Sequence, residues 1–391
     1  MNCPLCNNFH NENILFNSKC CVSSGKLNDI SYEEALNINN MGGGRITDIT
    51  LIQCKNCGYI YNKNFNFELI KKEYSSNNYF SRKIVSNSMS DIIKNLRDKI
   101  LFFNKKNYLE IAPGSGDLAA SLAINADTYY TIDPSIVSLE IKGIDNIFHI
   151  QNFFDYNLIK NKLKYDIDFI IFRHLLEHID KPYIFLQDIC KIANNDTIIY
   201  IEVPNLTEIL KHNRFYEFFN DHCGYYQKNT LVNTMNIFGF TLFNEIYPFR
   251  EQHMGLFFKK MKTFTKSKYP IQLYENFHFD FHINKLNEML LNYKNIAIYG
   301  AGAHGNSLIN FLSNTNKQKI QKCFDLDERK QGKFLQFSNA KIIQPCIENL
   351  KNIDCIIIAA PLYEQEIIKY LRNSGYNKDI IATETEIKIL R

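Results

Sequence analysis

Residues 106–123, KNYLEIAPGSGDLAASLA, constrain this chain more than any other stretch. An apolar strand run stops at a turn with Gly114 and Gly116, and a helical stretch follows. Glycines there let the backbone pass close to a ligand where a β-carbon would clash. The amides that open the following helix face the same space. Residues 295–312, NIAIYGAGAHGNSLINFL, repeat the pattern with Gly300, Gly302 and Gly305. Such units bury their apolar faces only in layers, so an α/β fold is expected, with one layer for each turn. The runs TYYTIDPS, NIFHIQNFF, YDIDFIIFRHLLEHI and TIIYIEVPN read as further strands of a doubly wound sheet. FGFTLFNEIYPF and HMGLFFKKM read as late antiparallel strands, while IQKCFDLD and NIDCIIIAAPL extend the second layer.

Ahead of these units stand two C-x-x-C pairs, Cys3/Cys6 and Cys54/Cys57. Each offers two thiolates to one ion, and four thiolates in tetrahedral array suit a closed, structural zinc site. A redox pair would need a βαβ context, and none surrounds the first pair. The residues between the pairs exceed those of a compact ribbon, so they are expected to fold back as a loop or hairpin, with TDITLIQC entering the second knuckle as a strand. The resulting organisation is a zinc-binding module (1–66), a helical linker region (67–105), a core (106–265), a connector (266–293) and a C-terminal α/β domain (294–391).

Composition sets exclusions. The 391 residues carry a formal net charge of only +4, which implies no general affinity for nucleic acid. Eleven cysteines in a chain of this length do not make a disulfide scaffold. No basic region followed by an apolar run opens the sequence, and no apolar stretch is long enough to span a bilayer. A reducing, cytoplasmic location without membrane attachment is expected, as a monomer or homodimer.

Around the first turn, Glu110 precedes the glycines and Asp133 ends the next strand run, where a carboxylate accepts from ribose hydroxyls. Phe153 and Phe154 end the third run, either stacking an adenine or packing in the core. His174 and His178 lie four apart in FRHLLEHIDKP, yet the glutamate is not placed as in a zinc protease. In EFFNDHCGYYQKNTL, Asp221 stands beside His222, an imidazole suited to base work whose basicity a carboxylate would raise. The second turn forms G-x-G-x-x-G, with Asp325 at the distance of an NAD ribose ligand. The residues that remain are too few for a dehydrogenase with a substrate domain.

Residues 109–240 resemble the class I S-adenosylmethionine-dependent methyltransferases, with Ala112 at the motif's first glycine position and Pro113 after it. A Rossmann-type unit for another nucleotide reads similarly. The resemblance implies a cofactor site of Glu110, Ala112, Gly114, Gly116, Asp133, Pro134, Phe153, Phe154 and His174. The whole layout resembles, more narrowly, the sugar C-methyltransferases. These join a four-cysteine zinc module, a class I methyltransferase core and a C-terminal Rossmann-like domain. Their core segment is like Y-H-E-H-x-x-Y-F, which here reads Phe219-Asn220-Asp221-His222-Cys223-Gly224-Tyr225-Tyr226. By that resemblance His222 is the general base, Asp221 its acid neighbour and His178 a second active-site histidine. Tyr74 or Tyr79 supplies the tyrosine that follows the zinc module. The family's C-terminal turn and its D-R-N-x-x-K-Q-G-K segment match residues 300–309 and 325–333, with KQGK intact. His304 stands where the family has lysine. The resemblance implies a domain closing over a nucleotide sugar, with Tyr225, Gly302, His304, Asn306 and Lys333 toward the substrate. The activity implied is C-methylation of a nucleotide-activated keto-deoxy sugar through an enolate. A sugar O-methyltransferase, an RNA methyltransferase and a catalytically silent sugar-nucleotide binder are the competing readings.

Overall fold

The computed structural model describes all residues except 1, 10–12, 22, 24, 40–45, 75–83, 85, 142 and 262–267. The described residues form three sheets. The first begins with β1 (Ile14–Cys21), β2 (Ile46–Gln53) and β3 (Ile60–Asn62), paired antiparallel. The fold-back expected between the cysteine pairs is thus the β1–β2 hairpin, which carries a helix at Tyr32–Asn39 in its connection.

The second sheet uses β4 (Asn107–Ile111), β5 (Thr128–Ile132), β6 (Ile147–Ile150), β7 (Phe169–Arg173) and β8 (Ile198–Pro204). The next strand, β9 (Gly224–Tyr225), leaves this sheet and pairs with β3. β10 (Phe240–Ile246) and β11 (His253–Lys260) complete the sheet in the order β10-β11-β8-β7-β4-β5-β6. Every pairing is parallel except those of β11, which runs antiparallel to both β8 and β10. A doubly wound sheet with one reversed strand in this position is a class I methyltransferase-like fold. The strand order reverses between β4 and β7, so the crevice opens at their carboxyl ends. The central strands β4, β5, β7 and β8 are buried on both faces and read as near-continuous apolar runs, as parallel strands must.

The third sheet comprises β12 (Ile296–Tyr299), β13 (Ile320–Phe324), β14 (Lys341–Ile343), β15 (Cys355–Ile358), β16 (Asp379–Ala382) and β17 (Lys388–Leu390). Its order is β14-β13-β12-β15-β16-β17, parallel save for β17.

Local periodicity gave no warning of how these parts fuse. Leu15, Ile49 and Ile60 from the first sheet share one buried core with Phe215, Phe218, Leu308 and Ile298. Cys3, Leu5, Tyr59 and Tyr61 share another with Leu109 and Val203. The expected connector holds a helix at Asp280–Met289. Its preceding stretch is pinned to the first sheet, with Gln53 donating to Gln272 O (2.9 Å) and accepting from Tyr274 N (2.9 Å). Among the described residues no helix is long and apolar enough to cross a membrane.

Candidate active site

The first glycine turn bends through three left-handed residues, Ala112 (φ 56°), Gly114 (φ 60°) and Gly116 (φ 79°). Ala112 therefore takes the conformation a glycine would adopt more easily, a strain of about 1–2 kcal/mol for an L-residue. A β-carbon on Gly116 would run into Ile141, whereas one on Gly114 would meet open space, so Gly114 is the residue that faces the crevice. The carboxylate of Asp133 (5% exposed) accepts from Gly114 N (3.2 Å) with one oxygen and from Ser135 N (2.7 Å) with the other. The second turn is tied identically: Asp325 accepts from Ala301 N (2.8 Å) and from Asp327 N (2.9 Å). There, however, Lys330 also pairs with Asp325 at 3.0 Å, so that carboxylate is already neutralised. Gly300 (φ 116°) lies so close to Ala359 that any side chain would strike its carbonyl.

Several expected cofactor residues take other positions. Glu110 is buried, and its Oε2 accepts from the Tyr129 hydroxyl at 2.7 Å. Burial pushes its carboxyl up to about 7, against the pull of Tyr129 and Arg173. Pro134 is exposed just beyond Asp133. β6 ends at Ile150, before either phenylalanine. Phe153 is exposed and meets Phe67 and the Lys71 ammonium, while Phe154 packs edge-on against Phe185. His174, left-handed at φ 50°, turns its Nε2 to Glu202 Oε1 at 3.0 Å.

Glu202 is one of the residues that sequence reasoning missed. It lies near the carboxyl end of β8 and takes both Arg173 Nε (3.1 Å) and Nη2 (2.9 Å), with the Tyr200 hydroxyl at 2.6 Å. Arg173 and the two imidazoles His174 and His253 hold it ionised, well below the usual carboxylate range, despite its burial. His253 joins this cluster because β11 is antiparallel. Its first residue therefore lies at the same edge as the carboxyl ends of the parallel strands, opposite Pro204. The ligand atoms of His174, Glu202 and His253 lie within 4.8 Å of one another, but the guanidinium, the Tyr200 hydroxyl and His174 already use the carboxylate. That cluster does not suit a cation.

The two predicted histidines do meet. His178 and His222 stand with ring centroids 4.7 Å apart and planes nearly perpendicular (88°). His178 Nδ1 lies 2.7 Å from the main-chain oxygen of Asp221. A carbonyl only accepts, so Nδ1 carries a hydrogen. One sequence-based expectation is corrected here. The carbonyl of Asp221, rather than a carboxylate aimed at His222, is what orients the pair. His222 is held well below the usual histidine range, chiefly by burial and then by His178, His304, His174 and His253. It is thus unprotonated at neutral pH, and its basicity is lowered rather than raised by its surroundings. Its Nδ1 has no hydrogen-bond partner among the described residues. Glu177 brings a carboxylate within 4.8 Å of both imidazoles, a donor set a divalent ion would accept.

The carboxylate–imidazole contact expected at Asp221–His222 occurs elsewhere. His304, in the first turn of the helix Ala303–Asn310, lies with Nε2 2.9 Å from Glu217 Oε2. Phe219 contacts both His222 (4.9 Å) and His304 (5.4 Å), edge to face. Glu217 also meets Arg214 Nε at 3.3 Å. Arg214, 1% exposed, donates on to Glu384 O at 3.0 Å, which joins the second and third sheets.

Three of the remaining expected substrate residues, Tyr225, Asn306 and Lys333, are engaged within the fold. The Tyr225 hydroxyl donates to Phe219 O (3.2 Å) and accepts from Phe219 N (2.9 Å), so it is spent on the main chain. Asn306, fully buried, donates to Lys26 O and accepts from Gln336 N, both at 2.9 Å. Lys333 pairs with Asp29 at 2.7 Å, where Asn28 and Phe334 also form a β-bridge. The KQGK segment is therefore a landing surface for the N-terminal chain. Gly302 caps the helix of His304 in an extended conformation, with open space where a β-carbon would be. Tyr74 ends the helix Phe67–Tyr74, and its side chain, like all of Tyr79, lies outside the described residues.

The four cysteines gather into one cluster. Cys3 and Cys57 sulfurs are 3.6 Å apart, Cys6 and Cys54 sulfurs 3.7 Å, and all four lie within 4.8 Å of one another. Zinc–thiolate bonds of about 2.3 Å place tetrahedral sulfurs about 3.8 Å apart, so the donor set and its spacing fit zinc. Both knuckles use the same turn: Asn7 N donates to Cys3 O (2.9 Å) and Gly58 N to Cys54 O (2.8 Å). The residue after each second cysteine is left-handed, Asn7 at φ 55° and Gly58 at φ 78°.

Residues 81–245 match the sequence model of a methyltransferase domain. With the strand order above, this defines the class of the central part: residues 81–245 form a methyltransferase domain. Residues 292–382 match a second model, described as C2185-like, N-terminal. Among solved structures the chain is similar to a DhpI–SAH complex at 17% identity, covering 45% of this chain and 86% of that one (TM-score 0.34). It is similar to a putative type 11 methyltransferase from Sulfolobus solfataricus at 15% identity, covering 45% and 97% (TM-score 0.35). It is also similar to a magnesium protoporphyrin IX methyltransferase from Synechocystis PCC 6803 with bound SAH, at 14% identity, covering 50% and 94% (TM-score 0.35). No curated protein matches the chain.

Proposed function

We propose that this enzyme methylates a carbon of a nucleotide-activated keto-deoxy sugar. The observation that carries the reading is the meeting of His178 and His222 at 4.7 Å, with His304 of the third sheet's first helix across Phe219. A cleft with imidazoles on two sides suits removal of a proton from a carbon made acidic by a carbonyl. The Gly114 turn and Asp133 would hold S-adenosylmethionine, the carboxylate exchanging its Gly114 amide for ribose hydroxyls. The donor supplies an already activated methyl group, so alignment and a prepared nucleophile are what the chain adds. His222, unprotonated at neutral pH, takes the proton, and approaching negative charge on the substrate strengthens it as a base. The nucleotide end would lie along the Gly302 turn, between the second and third sheets. No nucleic acid or membrane partner is invoked, and the place of action is cytoplasmic. The cysteine cluster would hold one structural zinc, remote from the chemistry, through Cys3, Cys6, Cys54 and Cys57.

The test is mass spectrometry of products from methyl-labelled S-adenosylmethionine and a panel of nucleoside-diphosphate keto sugars. His222→Ala should abolish transfer and leave donor binding, read by calorimetry, within about threefold of wild type. Retained turnover in that variant rejects His222 as the base. Labelled product from a sugar with no keto group would replace the reading with O-methylation.

A further inference from the structure

We infer that Glu217 and His304 form a second acid–base dyad of the cleft, in which His304 donates to the substrate oxygen and Glu217 positions it. This rests on the keto-sugar reading above and adds to it a proton donor. Charge that develops on an enolate oxygen needs a donor aimed at it. Of the donors the sequence nominated, Tyr79 and the Tyr74 side chain lie outside the described residues. Position 219 is a phenylalanine, with no hydroxyl. Tyr225 bonds its own main chain, and Tyr226 reaches Tyr59 (3.4 Å) and Leu176 O (3.3 Å). His178 gives its Nδ1 hydrogen to Asp221 O.

His304 has the complementary arrangement. Its Nε2 is 2.9 Å from Glu217, and burial notwithstanding, His304 and Arg214 hold that carboxyl down at about 2. An ionised carboxylate only accepts, so Nε2 carries a hydrogen and the opposite nitrogen, Nδ1, is the one that can exchange a proton with a ligand. The contact crosses from the second sheet's loop to the first turn of the Ala303–Asn310 helix. The donor therefore assembles only when the third sheet is docked. Phe219 contacts both His304 and His222 edge to face, which places donor and base about the same ring.

The step balances as follows. With His304 protonated on both nitrogens, His222 takes the proton as the substrate C–H bond breaks. The bonding pair becomes the enolate, whose oxygen receives the Nδ1 hydrogen of His304. The enolate carbon then forms the bond to the methyl group as the S–C bond breaks and leaves S-adenosylhomocysteine. The carbonyl re-forms, His304 recovers its proton, and His222 releases its own to water.

The test follows deuterium entering a panel of nucleoside-diphosphate keto sugars in D2O without methyl donor, using the full chain. His304→Gln and Glu217→Gln should slow exchange by 10²-fold or more, the usual range for a lost acid–base partner. Glu217→Asp should restore much of it, and Glu217→Gln should alter the pH profile, which a purely structural residue would not do. Donor affinity should stay within about twofold throughout. Exchange within threefold of wild type in His304→Gln overturns the dyad. If wild type exchanges no sugar, the keto-sugar reading falls instead. Proton NMR of the full chain then decides the dyad separately. A downfield imidazole N–H resonance lost in both His304→Gln and Glu217→Gln supports it, and the absence of that resonance from wild type overturns it.

Discussion

Replacing Glu110 by glutamine isolates one buried proton. Glu110 is 3% exposed, beneath the glycine turn, with its Oε2 on the Tyr129 hydroxyl. Burial lifts its carboxyl from 4.5 to about 7. The folded chain therefore keeps this proton over a range of pH in which the unfolded chain has released it. Stability from the group is fully present below about pH 4.5, declines as pH rises, and levels off above about pH 7. The whole interval is worth about 3 kcal/mol, of which about 2.5 kcal/mol falls between pH 5 and pH 8. Glutamine keeps the shape and an oxygen for Tyr129 but does not titrate. Urea unfolding of wild type and Glu110→Gln at both pH values measures the difference. The variant should gain about 2.5 kcal/mol on wild type between pH 5 and pH 8. A difference that does not change with pH would refute the claim that this carboxyl is desolvated and protonated in the fold.

Two further outcomes test the framework. Metal analysis should find one zinc per chain, lost with Cys57→Ser together with thermal stability, because the knuckles share a core with the second sheet. A second bound metal that disappears in His222→Ala would reassign Glu177, His178 and His222 as its ligands. Gly116→Ala should destabilise the chain by about 2–4 kcal/mol in urea unfolding, from its left-handed φ of 79° and the collision with Ile141. Unchanged stability would mean that the turn relaxes freely.

Legibility followed the range of each interaction. The glycine turns, the parallel strand runs and the cysteine knuckles depend on neighbours in sequence, and the structure forms each of them. Asp133 was readable because it ends the strand that follows the turn. Glu202 carried a faint signal as a lone acid closing an apolar strand in YIEVPN. His253 carried none, since its place in the crevice depends on β11 running antiparallel. Asp221–His222 looked like a dyad because the two are adjacent, but adjacent side chains need not face each other. The contact that formed, Glu217 with His304, joins residues 87 apart. Asn306 and Lys333 looked like ligand residues until the N-terminal chain was found lying across them.

The sequence by itself determined the parts: two α/β layers, a four-thiolate cluster and the methyltransferase turn. Each follows from backbone requirements and periodicity that operate within a few tens of residues. Only the tertiary structure decided how His178, His222 and His304 face one another, which hydroxyls are spent, and which carboxylate meets an imidazole. Those outcomes depend on shared cores and long-range hydrogen bonds, whose partners no local pattern encodes.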